Sequence, residues 1–260
     1  MKIEIATLFP EMCETGLSES IIGRARRAGK LDIHCRNIRD YTLDKHRRVD
    51  DTPYGGGKGM LMQVEPIYRC YESVCEDFGT RPHVIFMSPQ GKPFTEQRAI
   101  ELSQMEHILI LCGHLILVCG HYEGVDQRVI DEIVDEEISI GDYVLTGGEL
   151  GALVVVDAVG RLCEGVLADE SCYMDESHYN GLLEYPHYTR PPVWHGREVP
   201  EVFQNGNHAK IDQWRREKSL ENTLRKRPDL LRTAPLTEKD KQVLRRLRDM
   251  QAQEAEEIGE

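Results

Sequence analysis

No uninterrupted apolar run in this sequence approaches the roughly 20 residues that a membrane-spanning helix needs, so no transmembrane segment is expected. The opening residues, MKIEIATLFPEM, alternate like a strand and lack the basic and apolar regions of a secretory leader. A cytoplasmic location is the expectation. Eight cysteines are scattered through 260 residues with no C-x₂-C pairing. In a chain this large they read as reduced thiols and not as a disulfide framework. Several chemical fingerprints are missing as well. No G-x-G-x-x-G opens a helix after the first strand, which leaves an NAD site of that type unsupported. The glycines from Gly55 to Gly59 enclose Lys58, but no Ser or Thr follows it, as a phosphate loop would require. No G-x-S-x-G elbow occurs. Dehydrogenase, kinase and hydrolase chemistry therefore have no foothold.

What is present is an ordinary globular balance, 40% hydrophobic and 30% charged, with length for one large domain or two modest ones. The formal net charge of −13 argues at first against a nucleic-acid partner, but the average hides an asymmetry. Between His121 and Glu184 there are two basic residues and sixteen acidic ones; between Asn207 and Arg248 there are thirteen basic and six acidic. A second basic stretch runs from Arg24 to Arg48. Phosphate attraction depends on where Lys and Arg cluster, so local patches outrank the total. Two solvated helix faces would look the same on charge alone.

The hydrophobic patterning predicts strands at 2–8, 31–38, 83–87 and 108–119, and a short one ending at Ile140. Helices are expected at 21–29 with Ser20 as cap, at 65–78, after Pro93 with Thr95 as cap, at 125–134 and at 149–163. Alternation of this kind implies an α/β layer with a largely parallel sheet. Residues 168–189 turn polar and read as a mobile linker. Beyond Pro200 the pattern is helical, first at 209–227, then from Thr237, where Thr237 and Asp240 have the spacing of a capping box. The expected organisation is an α/β domain over 1–167, a flexible linker over 168–189 and a small all-helical domain over 190–260.

One seven-residue unit is repeated: ILILCGH at 108–114 is followed at once by LILVCGH at 115–121. His107, His114 and His121 recur with Cys112 and Cys119, but a tandem duplication explains the whole spacing and no metal site is assigned. Three glycine-rich turns sit where strands should end: Ser88–Gly91, Cys119–Gly124 and Ile140–Gly148. Ligands of open α/β sheets bind outside the carboxyl ends of strands, and such turns together could enclose an adenosine-sized molecule.

An ordered series of motifs then emerges: FPEM at 9–12, PYGGGKGM at 53–60, MSPQGK at 87–92, CGHYEGVDQR at 119–128, ISIGDYVLTGGEL at 138–150, GLLEYPHYTRP at 181–191 and GNHAKIDQWRREKSLENTLRKRPDLL at 206–231. Together they closely resemble the bacterial tRNA (guanine-N1-)-methyltransferase family, TrmD, of the SPOUT class. The resemblance implies a parallel sheet with a deep trefoil knot and a homodimer whose sites lie at the subunit interface. It implies methyl transfer from S-adenosylmethionine to N1 of guanosine 37 in tRNA. It also implies magnesium dependence, with no ligand assigned. Carried over by motif, the cofactor contacts are Met87, Pro89, Gly120, Tyr122, Glu123, Ile140, Gly141, Tyr143, Leu145, Gly147 and Gly148. The tRNA contacts expected on the helical domain are Lys210, Arg215, Arg216, Lys218, Arg225, Lys226 and Arg227.

The chemistry agrees with that assignment. N1 of guanine is nucleophilic only as its proton leaves, and a positioned carboxylate base is typically worth ~10²–10⁴-fold. A cation near O6 stabilises the charge that develops there; the resemblance gives that role to Arg161, for which an Asp157–Arg161 ion pair is the plain alternative. The family's aspartate falls on Glu176, five residues before Gly181, with Asp175 beside it. The base is therefore Glu176 or, after a one-residue shift, Asp175. The repeat is a second departure, and residues 115–121 are taken as the functional copy. A ribose 2′-O-methyltransferase and a tRNA-binding protein without catalysis are the competing readings.

Overall fold

The alternating pattern at the start of the chain folds as the strand β1 (Lys2–Thr7) of a five-stranded sheet with β2 (Asp32–Asn37), β3 (His83–Pro93), β4 (His107–Cys112) and β5 (Glu136–Ser139). In this computed structural model the residues described are 1–56, 59–112, 124–169, 171–204 and 206–258, with the backbone alone at 171, 172 and 254–258. The spatial order is β2-β1-β4-β3-β5 and every pairing is parallel, as the alternation of strand and helix predicts. The chain divides into two units, Met1–Asp169 and Glu170–Glu260.

Both faces of the sheet are covered. Ala6, Val84, Phe86, Leu109 and Leu111 turn to one side and pack with α3 (Val64–Phe78) and α5 (Gln127–Ile133). Ile3, Ile5, Ile85, Ile108 and Ile110 are their alternates and are buried on the other side, where α1 (Pro10–Leu17) and α6 (Glu149–Gly160) pack. Burial on both sides is usual for parallel sheets, and it means that past the exposed Lys2 the polar positions of β1, Glu4 and Thr7, do not face water. Glu4 is 4% exposed and is held by the Arg36 guanidinium at 2.8 and 3.0 Å; Thr7 is fully buried and donates to the Glu149 carboxylate. Both of these buried polar groups are matched, as the cost of desolvation demands.

The remaining helices, α2 (Ser20–Arg27) and α4 (Glu96–Ser103), flank the sheet. Thr95 caps α4, its hydroxyl accepting from the Arg98 N–H, as expected. Ser20 does not cap α2: Glu19 holds that position with no side-chain hydrogen bond, and Ser20 itself has a positive φ of 52°. The hydrophobic patterning does not predict α1; its start has no side-chain cap and is marked only by Pro10 at the first turn. A small ladder pairs Asp50–Asp51 antiparallel with Leu61–Met62, which in turn runs parallel to Gly124–Val125. Among the described residues no helix is long and apolar enough to cross a membrane.

In the second unit α7 (His208–Lys226) packs with α8 (Glu238–Ile258) around Leu182, Leu220, Leu244 and Leu247. Leu182, inside the stretch expected as a linker, is 1% exposed, and the Leu183 N–H donates to Thr223 Oγ1 at 2.9 Å. The expected capping box forms: Thr237 N–H donates to Asp240 Oδ2 at 2.9 Å and Asp240 N–H returns to Thr237 Oγ1 at 3.2 Å. The unit is not purely helical, since Val193–Trp194 and Arg197–Glu198 form a short antiparallel ladder.

Candidate functional site

The longest strand does not run straight. Ile138 of β5 pairs with both Met87 and Lys92 of β3, so Ser88–Gly91 leave the ladder and arch over the sheet edge. Gly91 is required there: a Cβ would lie 2.5 Å from backbone atoms of Glu137 and Ile138. The chain exits β5 at Ser139 and enters a second glycine-rich turn that ends at Gly148, the residue preceding α6. Gly148 brings α6 down onto the sheet, for a Cβ there would stand 2.9 Å from Cys112 Cα and 3.2 Å from Met87 Cβ.

Between these two turns lies a cavity of about 280 Å³, near the small end of the range for ligand pockets, roughly 300–1,000 Å³. Phe86, Met87, Ile130, Ile138, Val144 and Leu145 supply its apolar lining, while Ser88, Gln90, Gln127, Glu137 and Ser139 supply side-chain polar groups. The second turn is internally braced. Ser139 Oγ donates to the Gly141 carbonyl at 2.9 Å and accepts its N–H at 3.2 Å, and the Tyr143 hydroxyl donates to the Ile140 carbonyl at 3.2 Å. A braced loop presents backbone donors and acceptors in fixed directions, which is what recognition of a flat heterocycle requires. The pocket lies where the first leg of β3 breaks off after Met87 and where β5 ends at Ser139, the kind of strand end at which α/β sheets place their ligands.

Eight of the expected cofactor contacts line this one cavity: Met87, Pro89, Ile140, Gly141, Tyr143, Leu145, Gly147 and Gly148. Gly120, Tyr122 and Glu123 lie outside the described residues, as do the second copy of the repeat, His114 and Lys58. The structure adds Gln90, Gln127, Ile130, Glu137 and Gly151 to the lining. Gln90 and Gln127 stand inside two of the sequence motifs and were within reach of the sequence; Gly151 was not, because it enters the wall only through the seating of α6 on Met87.

Arg161 is the half-buried C-terminal cap of α6, its N–H donating to the Asp157 carbonyl at 3.1 Å. Asp175 and Glu176 belong to the other unit, following the short helix Ser171–Met174; Asp175 is exposed and Glu176 half-buried. Of the basic residues expected on α7, Lys210, Arg225, Lys226 and Arg227 are exposed. Arg215 stacks on the Tyr185 ring at 5.0 Å, and Lys218 pairs with Glu221 at 2.6 Å. Arg216 is different. It grips Asp240 with two nitrogens at 3.0 and 2.9 Å, and that hydrogen-bonded guanidinium, with the Thr237 bonds, holds the Asp240 carboxyl down at about 2. Trp214 packs edge-on to Phe203 at 4.9 Å and beside Tyr188 at 6.2 Å, a structural place. Among the described residues no group of three or more His, Cys, Asp or Glu side chains could hold a metal ion.

Comparison with known proteins completes the picture. The sequence pattern of the family described as tRNA (Guanine-1)-methyltransferase TrmD matches residues 1–233. A protein of Ruminiclostridium cellulolyticum named tRNA (guanine-N(1)-)-methyltransferase is 54% identical over 235 residues, 90% of this chain and 98% of the relative. Proteins with the same name from Alkaliphilus oremlandii and Staphylococcus aureus are 53% and 50% identical, covering 95% of this chain and 99% and 97% of their own lengths. With its pocket-forming turns and α7 both inside the family match, the chain belongs to the tRNA (guanine-1)-methyltransferase TrmD family.

Proposed function

We propose that this protein methylates N1 of guanosine 37 in tRNA, beside the anticodon, with S-adenosylmethionine as methyl donor. The observation that carries the reading is the convergence of Met87, Pro89, Ile140, Gly141, Tyr143, Leu145, Gly147 and Gly148 on one cavity, in a chain of this family. When bound there, S-adenosylmethionine supplies a methyl group already activated on a sulfonium. The braced turns hold the ligand through backbone groups and the apolar wall excludes water; Gly120, Tyr122 and Glu123 complete the proposed contact set. No covalent intermediate is needed, so Cys13, Cys35, Cys70, Cys75, Cys112 and Cys163, all free thiols, have no assigned part.

Glu176, with Asp175 as its neighbour, takes the N1 proton, and Arg161 stabilises the charge left on O6. Lys210, Arg215, Lys218, Arg225, Lys226 and Arg227 supply phosphate attraction, while Arg216 serves first as the partner of Asp240. The trefoil knot, the homodimer and a cytoplasmic location belong to the same proposal. Leu150 and Val154, 48% and 46% exposed on α6 a turn from the pocket, support a second copy covering that helix.

The test is transfer of labelled methyl from S-adenosylmethionine to two tRNA transcripts, one with guanosine and one with adenosine at position 37. Label on the first alone, recovered as N1-methylguanosine, is the expected result. Label recovered on ribose would overturn the assignment and favour 2′-O-methylation.

A further inference from the structure

The walls of the pocket are secured in different ways. The arch over the sheet edge is braced within itself, for Ser88 Oγ accepts the Gln90 N–H at 3.1 Å. Ser139 braces the turn after β5 through both the N–H and the carbonyl of Gly141. The third wall is the start of α6, where the N-cap is Gly148, a residue with no side chain to close the first turn. Gly147, Gly148 and Gly151 all line the cavity, so whatever fixes the first turn of α6 fixes that wall.

One bond reaches it from 142 residues away: the buried Thr7 hydroxyl donates to the carboxylate of Glu149, the first residue of α6. Thr7 is the last residue of β1 and is paired with Asn37 of β2, so it belongs to the rigid sheet. Its hydroxyl also accepts the Phe9 N–H at 2.9 Å, which turns the hydroxyl proton towards Glu149. Packing alone would not select this pair. Burying a carboxylate carries a desolvation penalty, and an apolar pair of the same volume usually serves stability as well or better. What a hydrogen bond adds over an apolar contact is direction. Glu149 stands in sequence between Gly148 and Gly151, so a directed bond at its side chain orients both of these pocket residues.

On the reading that this cavity holds the methyl donor, we propose that Thr7 is a positioning residue of the donor site. Through Glu149 it sets where the first turn of α6 stands, and with it the wall made by Gly147, Gly148 and Gly151. Thr7 does not itself line the cavity and has no part in proton or methyl transfer.

The experiment compares the full chain with Thr7→Val, Thr7→Ser and the apolar double variant Thr7→Val/Glu149→Met. Two quantities are read. One is the calorimetric affinity for S-adenosylmethionine; the other is hydrogen exchange of the Ala152 N–H, which donates to the Gly148 carbonyl at 2.8 Å and closes the first turn of α6. Thr7→Val should weaken donor binding about tenfold, the low end of what a hydrogen bond to a charged group contributes, and should speed Ala152 exchange. Thr7→Ser keeps the hydroxyl and should match the unaltered protein in both. The double variant separates positioning from stability: with both partners gone the thermal midpoint should return to near its original value, while donor affinity stays low and Ala152 exchange stays fast. In methyl-transfer assays Thr7→Val should raise KM for S-adenosylmethionine about tenfold and leave KM for tRNA as it was. Full donor affinity in the double variant overturns the proposal, since the pair would then serve the fold alone. Unchanged Ala152 exchange in Thr7→Val overturns it too, as does a Thr7→Ser variant as impaired as Thr7→Val. If the unaltered protein binds no S-adenosylmethionine but Ala152 exchange still depends on the Thr7 hydroxyl, the donor reading fails and the link from Thr7 to the pocket wall stands.

Discussion

At the start of α6 in the sheet unit, Thr7 and Glu149 are sealed from solvent and joined to each other, whereas Arg225 and Lys226 of the helical unit are exposed and, among the described residues, paired with no carboxylate. The sheet unit buries Glu4, Thr7 and Glu149 inside a thick apolar layer and lines its cavity largely with hydrocarbon and glycine backbone. The helical unit has a thin core, with Leu182, Leu220, Leu244 and Leu247 as its buried hydrophobic members among the described residues, and places its charges at the surface and on one clamp. On the proposed function, the contrast predicts that donor recognition by the first unit depends on shape and survives salt, while RNA recognition by the second depends on charge and fades with it.

The largest expected effect on ligand binding follows from shape. At Gly148 an added side chain meets the Cα of Cys112, which cannot step aside without moving β4. Gly148→Val should weaken S-adenosylmethionine binding at least ~100-fold, about 2.7 kcal/mol, when measured calorimetrically. Gly148→Ala should fall between that variant and the unaltered protein. RNA binding by the helical unit should persist in both. Unchanged donor affinity in Gly148→Val would break the claim that this cavity is the donor site.

The next effect tests the thin core. Leu182→Ala removes one of its most deeply buried members, 1% exposed, and should cost about 2–5 kcal/mol, the usual range for such a truncation. Hydrogen exchange should show α7 and α8 losing protection while β1, β3 and β4 keep theirs. Equal loss in both units would mean that they do not unfold as separate bodies.

Leu182 also marks where sequence reading stops. One Leu–Leu pair in a polar stretch looks like part of a linker, because its partners Leu220, Leu244 and Leu247 come much later in the chain. Local signals were legible. Thr237 and Asp240 cap α8 as spaced, Thr95 caps α4, and the glycine-rich turns mark the pocket. The departures have physical causes. Pro10 alone announces α1; Ser88–Gly91 is a turn inserted within a strand that resumes at Lys92, which periodicity cannot distinguish from a strand end. Arg216 shows the limit of charge patterns: sequence places it among phosphate-facing residues, but only the fold shows Asp240 within its reach.

That Arg216–Asp240 pair carries the smallest of these effects and the one most specific to a unit. The Asp240 carboxyl is pulled from its ordinary 3.8 to about 2, first by Arg216 and then by Thr237. A depressed carboxyl stabilises the fold above its unfolded value, and the contribution is lost as pH falls from about 4 towards 2. Because Arg216 is 38% exposed, water screens the pair, and we expect about 1–2 kcal/mol and not the full value of the shift. The sheet unit has its own acid-sensitive group in Glu136. Burial raises that carboxyl, but hydrogen bonds from His83 and Arg98 outweigh it and hold it at about 2. Both units should therefore lose stability between pH 4 and 2 in the unaltered protein. In Asp240→Asn the helical unit should start out weaker at pH 7 and lose less on acidification, while the sheet unit keeps its original profile. Unit-resolved unfolding by hydrogen exchange between pH 5 and 2.5 separates the two. If Asp240→Asn leaves the helical unit's acid profile unchanged, the clamp is a solvated surface pair and the charges of this unit contribute nothing to its fold.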